Sequence, residues 1–339
     1  MSGRAATILR LVGLAVLLLA SVAVAVSIGP AHISVADVVR SIAAHLQLGS
    51  SGVPRLTDAI VWELRLPRVL TAVAVGAGLG LSGAVMQSVT RNPLADPYLL
   101  GLSSGASLGA VAVLVLGLTT VALPLAAFIG ALAALAASLA LARSGGTITP
   151  TRAVLAGLAI AQLCGAGTSF VIFWSATSDS YREILSWLLG SLGGTTWRSV
   201  TIAGLGLLIA GSVLLASGRR LDAFTFGDDS AASLGIDVPR TRRWLLVAVA
   251  LLTGSAVAVS GAIGFIGLVL PHAVRAITGP MHSRVLPTTA LVGGIALLWA
   301  DTAARTVFAP RELPVGVITA LVGVPFFIVL MRRKGGTWT

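Results

Sequence analysis

The chain has 339 residues, of which 56% are hydrophobic and only 10% are charged, and its mean hydropathy is +0.97. Because about 25% of the residues of a soluble domain are charged, this composition excludes a soluble fold, and it also excludes a disordered chain, a collagen-like repeat, a coiled coil and a disulfide scaffold. The net charge of +11 comes from basic residues scattered between apolar runs, whereas nucleic-acid binding requires a clustered basic face. The sequence therefore predicts an all-α, polytopic membrane protein that contacts the lipid bilayer and no nucleic acid.

The apolar runs predict the membrane helices, because a spanning helix needs about 20 mostly apolar residues. The nine runs of this kind occupy residues 8–28, 66–89, 98–118, 121–142, 152–174, 198–216, 243–262, 286–308 and 314–331. A shorter apolar segment at 264–277 could be a tenth span, or else a re-entrant or core helix. The first run also has the parts of a signal peptide, including Ala23-Val24-Ala25 as a cleavage-like site, but we favour an uncleaved helix since many spans follow it.

Basic residues at the two chain ends predict the orientation. These residues are Arg4, Arg10, Arg332, Arg333 and Lys334. Short basic flanks prefer the cytoplasm, and both ends can lie there only if the number of spans is even. We therefore predict one transmembrane domain over residues 1–339, with ten helices, an outer segment at 30–65 and an inner loop at 217–243. About two-thirds of the basic residues then lie on the inner side, in the direction of the positive-inside rule.

The inner loop contains a pattern that is typical of a short helix. Asp228 or Asp229 can cap its amino end, and Gly235 can close its carboxyl end. Pro239 then prevents the helix from continuing.

No pattern of catalytic or metal-ligating residues is present in the sequence. The four histidines have no metal-ligand spacing with one another or with the single cysteine, Cys164, which also cannot form a disulfide within the chain. A phosphate-binding Gly-x-x-x-x-Gly-Lys-Ser/Thr loop does not occur, so ATP cannot be bound in that way. These observations argue against an integral membrane enzyme and predict no cofactor in this chain.

An ion-coupled secondary transporter is a second alternative, and it would place ionisable groups inside the membrane. Asp301 and Arg305 are the closest case in the sequence. They lie four residues apart near the end of a predicted helix, where they could pair with each other or bind a ligand. The remaining spans lack such groups in their middles, which indicates that the energy for transport comes from another source.

A series of motifs, in chain order, resembles a known family. The motifs are Leu66-Pro67-Arg68, Ser82-Gly83-Ala84-Val85-Met86-Gln87, Asn92-Pro93-Leu94-Ala95-Asp96-Pro97, Leu100-Gly101, Ser260-Gly261-Ala262-Ile263-Gly264-Phe265-Ile266-Gly267-Leu268-Val269, Pro271-His272 and Glu312-Leu313-Pro314-Val315-Gly316. They are similar to those of the permease family of binding-protein-dependent ABC importers for iron–siderophores, haem and cobalamin. Along most of its length the chain resembles the cobalamin permeases of that family.

The resemblance implies a cobalamin-permease-like subunit of ten helices that works as a dimer in the cytoplasmic (inner) membrane. Its partners would be a second permease subunit, two cytoplasmic ATPase subunits that bind ATP and Mg²⁺, and an outer substrate-binding protein. The fifth and tenth helices would line the substrate path. The substrate would be an iron chelate, with a ferric siderophore as first choice and haem or cobalamin as alternatives.

The resemblance also assigns residues to roles, position by position. By this resemblance, Arg65, Arg68 and Arg305 would dock the binding protein by pairing with acidic residues on the two lobes of that protein. Coupling to the ATPase falls to Asp228, Asp229, Ser230, Ala231, Leu234 and Gly235. The inner gate falls to Asn92, Leu94 and Thr151, although Pro150 stands where the family has a small hydroxyl residue.

Overall fold

A computed structural model describes residues 3–49, 52–118, 122–143, 149–175 and 178–333, and every regular element in these ranges is a helix. The helices of the first half are α1 (Gly3–Ser27), α2 (Val35–His45), α3 (Arg55–Ala59), α4 (Leu66–Val89), α5 (Leu102–Val115), α6 (Ala122–Arg143) and α7 (Pro150–Ser175). Those of the second half are α8 (Ser178–Leu188), α9 (Trp197–Gly206), α10 (Ser212–Ala216), α11 (Gly218–Thr225), α12 (Asp228–Ser233), α13 (Val238–Ser260), α14 (Ile266–Thr278), α15 (His282–Thr306) and α16 (Val315–Arg333). The predicted all-α class is confirmed.

Seven helices in the described ranges are long and apolar enough to cross a membrane. They are α1, α6, α7, α13, α15, the continuous helix Arg55–Val89 and the continuous helix Trp197–Ala216. The apolar helices α5, α14 and α16 are shorter. The multi-pass architecture is confirmed, and the count of ten spans stays a prediction because it requires these three to cross as well. Lys334, on which the predicted orientation partly rests, lies outside the described residues.

Helix α4 forms the centre of the bundle. It is buried along almost its whole length and packs against α15, α13, α14 and α9. Glycines allow this close packing. A Cβ atom on Gly76 would collide with the carbonyl oxygen of Gly293 in α15, and one on Gly83 would collide with that of Gly267 in α14. Small residues at such crossings let helix backbones approach closely, which is how membrane helices gain contact area without large apolar side chains.

Three predicted helix boundaries were wrong because local chemistry overrides the hydropathy pattern. The helix expected at 98–118 begins only at Leu102, because residues 97–100 form a 3₁₀ turn that ends at Gly101 with φ of +77°. The helix expected from 66 extends back to Arg55 through a π-helical turn. The helix expected from 243 begins at Val238, since Pro239 occupies its first turn and the Asp237 side chain accepts the Arg240 amide as its N-cap.

The short helix in the inner loop is present as α12, but its start differs from the prediction. Gly227, with φ of +108°, is its N-cap residue and makes no side-chain cap. Asp228 and Asp229 instead occupy the first turn, where their negative charge favours the amino end of the helix dipole. Gly235 closes the other end with φ of +79°, as expected.

Candidate functional sites

The first site is a cluster of charges formed by the start of α4 and the end of α15. Arg68 donates from Nε and Nη2 to the carboxylate of Asp301, with contacts of 2.9 Å to each oxygen, and from Nη1 to Glu312 at 2.7 Å. The Asp301 side chain is only 2% exposed, whereas that of Glu312 is 52% exposed. Asp301 therefore pairs with Arg68, and the alternative in which it pairs with Arg305 is wrong.

Arg65 and Arg305 are buried in this cluster and bind the end of α1. Nη1 of Arg65 donates to the carbonyl oxygens of Val26 and Ser27, and Nη2 donates to that of Ala31 at 2.8 Å. Nη2 of Arg305 donates to the carbonyl oxygen of Ala25. The last carbonyls of a helix have no partner within it, and these two arginines supply one. Docking through Arg65 or Arg305 stays a prediction, and it would require these internal contacts to break.

The second site is the segment predicted to couple the chain to the ATPase. Asp229, Ser230, Leu234 and Gly235 are exposed on α12 and its end, while Ala231 is fully buried and anchors the helix. Leu234 is 71% exposed, and Phe226, just before α12, is 79% exposed. Two exposed apolar side chains beside one short helix form a surface suited to a protein partner. Phe226 was not predicted from the sequence. The feature that could have indicated it is a bulky aromatic residue directly before Gly227 and the two aspartates.

Asp228 belongs to the same segment but faces back into the chain. Its carboxylate accepts from Nη2 of Arg242 at 2.9 and 3.0 Å and also from Nη2 of Arg91. Arg242 is buried in α13, and Arg91 lies in the turn that follows α4. Unlike its neighbours on α12, Asp228 thus connects two other elements of the permease.

The predicted gate residues lie on the turn after α4 and at the start of α7. The Asn92 side chain accepts the Leu94 amide at 2.9 Å, which closes the turn, and Leu94 is 42% exposed. Thr151 is exposed in the first turn of α7. Their role as a gate stays a prediction.

The turn at 97–100 is anchored to the non-helical segment between α13 and α14. Asp96 accepts the Tyr98 amide at 2.8 Å, and the Tyr98 hydroxyl donates to the Ile263 carbonyl at 3.0 Å. Burial raises the pKa of Asp96 to about 6, although the hydrogen bond from the Tyr98 amide opposes this shift.

Helix α7 carries a continuous exposed face. Its members recur every three or four residues, as expected for one side of a helix. They are Thr151, Leu155, Leu158, Ala159, Gln162, Leu163, Ala166, Ser169, Phe170 and Phe173. Arg152, in the first turn, is also exposed, and it is the one charged residue among the exposed residues described on this helix. Helix α16 likewise exposes Leu321, Val322, Phe326 and Val329.

Long apolar helices with exposed apolar faces define a multi-pass membrane protein. Comparison with known proteins makes this specific. Residues 17–333 match the FecCD transport family. A cobalamin import system permease protein of Halobacterium salinarum is 43% identical over 284 residues, which is 84% of this chain and 76% of that protein. An Fe(3+) dicitrate transport system permease protein of Escherichia coli is 42% identical over 276 residues, 81% of this chain and 85% of that protein.

A solved structure is similar over nearly the whole chain. It is described as a metal-chelate type ABC transporter in an inward-facing conformation, and it matches with a TM-score of 0.85 and 29% identity over 96% of this chain and 99% of that one. The chain belongs to the FecCD transport family, and it is the permease subunit of an ABC importer. ATP hydrolysis takes place on a separate subunit.

Proposed function

We propose that this permease moves an iron chelate, and first of all a ferric siderophore, from the outside to the cytoplasm. The observation that carries the proposal is the exposed face of α7, which has no carboxylate and whose one charge, Arg152, lies in the first turn. Leucine, alanine and phenylalanine side chains offer dispersion contacts, and Gln162 and Ser169 offer hydrogen bonds, but the face presents no anionic ligand for a bare cation. Such a surface suits a metal that arrives already wrapped in an organic chelator. Haem and cobalamin are alternatives of the same kind.

The permease works as a dimer in this proposal. Helices α7 and α16 correspond to the fifth and tenth predicted spans. Their exposed faces would line the path between the two subunits. Burial against a second subunit would also remove from lipid the polar side chains of Gln162 and Ser169, which are costly to expose there. Both termini and the loop at 217–243 would then lie in the cytoplasm.

Two ATPase subunits would bind the exposed part of the coupling segment. Phe226 and Leu234 offer the apolar anchors, and Asp229 and Ser230 lie beside them as a polar rim. ATP-driven closure of the ATPase pair would move these segments and shift the permease between two states, one open to each side.

The outer binding protein would dock at Arg68 rather than directly at Arg65 or Arg305. The contact between Arg68 and Glu312 is the one contact in this charge cluster that involves a half-exposed side chain. It can exchange partners without opening the core, whereas the two other arginines hold buried carbonyl groups.

Transport assays with a reconstituted complex test the proposal. The chain is incorporated into proteoliposomes with the ATPase and binding protein encoded beside it, and ATP-dependent uptake of a ferric siderophore, hemin and cobalamin is compared. Uptake of the ferric siderophore above the other two supports the proposal. Uptake of cobalamin alone would overturn the substrate, and uptake driven by a proton gradient without ATP would overturn the mechanism.

A further inference from the structure

We propose that Asp228 and Arg91 form a link that carries movement of the coupling helix to the turn predicted to form the gate. Asp228 is in this role a positioning residue, not a contact of the ATPase. The inference rests on the proposed function, because it assumes that an ATPase moves α12 and that the Asn92–Leu94 turn controls the path. It adds the physical connection between the two.

The geometry places one carboxylate between two arginines from different elements. Arg242 of α13 holds Asp228 at 2.9 and 3.0 Å, and its guanidinium also lies 5.6 Å from the ring centre of the buried Phe224. Arg91 binds the same carboxylate from the turn after α4. The side chain of Arg242 is only 6% exposed, and α13 follows α12 after a short connection, so Arg242 holds the carboxylate in the position where it meets Arg91 as the coupling segment moves.

Arg91 belongs to the hydrogen-bonded end of α4, so the turn it lies in is fixed to that helix. Its φ of +48° is the left-handed conformation that commonly follows a helix end, and here the Arg91 amide donates to the Ser88 carbonyl at 3.2 Å and the Asn92 amide to the Gln87 carbonyl at 3.1 Å. Asn92 follows directly, and its side chain closes the turn through the Leu94 amide. A displacement of Asp228 therefore acts on Arg91 and, through one peptide unit, on the predicted gate residues.

The turn is stiff enough to transmit such a displacement. Asp96 caps the 3₁₀ turn that follows it, and Tyr98 both donates to Ile263 and accepts from its amide at 3.2 Å. The described chain from 91 to 100 thus consists of consecutive turns closed by side chains. A rigid connector of this kind can pass on a movement that a flexible loop would absorb.

The solvent exposure of the Arg91–Asp228 ion pair distinguishes a role in transmitting movement from a role in stabilising the fold. The side chains of Arg91 and Asp228 are 42% and 40% exposed. Ion pairs with this degree of exposure contribute little to folding stability. Removing the link should therefore leave the fold intact while it weakens the connection between ATP hydrolysis and transport.

The test compares Arg91→Gln with Arg91→Lys and with Arg284→Gln in the reconstituted complex of permease, ATPase and binding protein. Arg284 is an inner-side arginine at the start of α15, outside both sites, and serves as the matched control. The readout is substrate transported per ATP hydrolysed, with melting temperature measured alongside. We expect Arg91→Gln to lower this ratio by up to about fivefold at unchanged melting temperature, Arg91→Lys to restore most of it, and Arg284→Gln to leave it unchanged. A normal ratio in Arg91→Gln, or an equal fall in Arg284→Gln, overturns the inference.

A cross-link provides a second test that does not depend on loss of function. Arg91→Cys and Asp228→Cys are combined with Cys164→Ser, and the two thiols are joined by a bifunctional reagent as long as the two side chains they replace. If the link persists throughout the transport cycle, the cross-linked permease transports a near-normal amount of substrate per ATP hydrolysed. The same double-cysteine variant without the cross-link hydrolyses ATP with little transport. Loss of transport on joining would show that the two residues must separate, and would overturn the inference. Failure of transport by the unmodified complex would instead count against the proposed function.

Discussion

The replacement Glu312→Gln tests how the binding protein reaches this permease. In the structure Glu312 occupies Nη1 of Arg68 at 2.7 Å, so an incoming carboxylate must displace it. Because the Glu312 side chain is 52% exposed, the pair is worth at most about 1 kcal/mol. Its removal should therefore tighten binding-protein capture by up to about fivefold, since 1.4 kcal/mol corresponds to a factor of ten.

The assay is equilibrium binding of the binding protein to the permease–ATPase complex in lipid nanodiscs, at low and at high salt. Glu183→Gln is the matched control, because Glu183 is an exposed carboxylate of the same predicted side that lies outside the arginine cluster. The gain in Glu312→Gln should be largest at low salt, where the competing charge is least screened. If Glu312→Gln binds no better than Glu183→Gln at any salt concentration, competition at Arg68 is refuted.

Three further predictions concern packing, pH and assembly. Gly76→Ala should lower the free energy of unfolding by about 1–3 kcal/mol, because the added Cβ atom would collide with α15. Gly204→Ala is the control, since its Cβ atom would meet no atom within 4 Å, and it should be neutral or stabilising. Equal melting temperatures of the two variants would contradict the close packing. Because the pKa of Asp96 is raised, the folded state binds a proton more tightly than the unfolded state. The free energy of unfolding should therefore fall by up to about 3 kcal/mol as the pH rises from about 4 to about 6. Asp96→Asn should abolish this pH dependence. Phe226→Asp should abolish co-purification of the ATPase while the permease stays folded, as its chromatographic profile would show; normal co-purification would exclude Phe226 from the interface.

The membrane class and the approximate spans could be predicted because hydropathy is a local property of the sequence. Helix ends depend on finer chemistry. Pro239 was expected to mark a stop, but proline is equally suited to the first turn of a helix, and the Asp237 cap decides between the two. The turn at 97–100 has the same apolar composition as the helix that follows it, so hydropathy alone could not separate them.

The contacts of the candidate sites were harder to predict because they join distant parts of the chain. The sequence left open whether Asp301 pairs with Arg305, four residues away, or binds a ligand, yet it pairs with Arg68, which α4 brings alongside α15. The packing of these two helices depends on Gly76 and Gly293, and nothing in the local sequence reveals which glycines face each other. Likewise, Asp228 could be placed on an inner helix, but its two arginine partners depend on the tertiary fold.

The hold of Arg65 and Arg305 on the end of α1 has a consequence for biosynthesis. Helix α1 is little buried in the bundle, and the carbonyl groups at its carboxyl end depend on side chains that the ribosome supplies later. Arg65 becomes available with the next long helix, but Arg305 appears only when α15 is nearly complete. Helix α1 is therefore synthesised long before both of its arginine partners are present, and in a truncated chain that lacks α15 only Arg65 would bind the carbonyl groups at its carboxyl end.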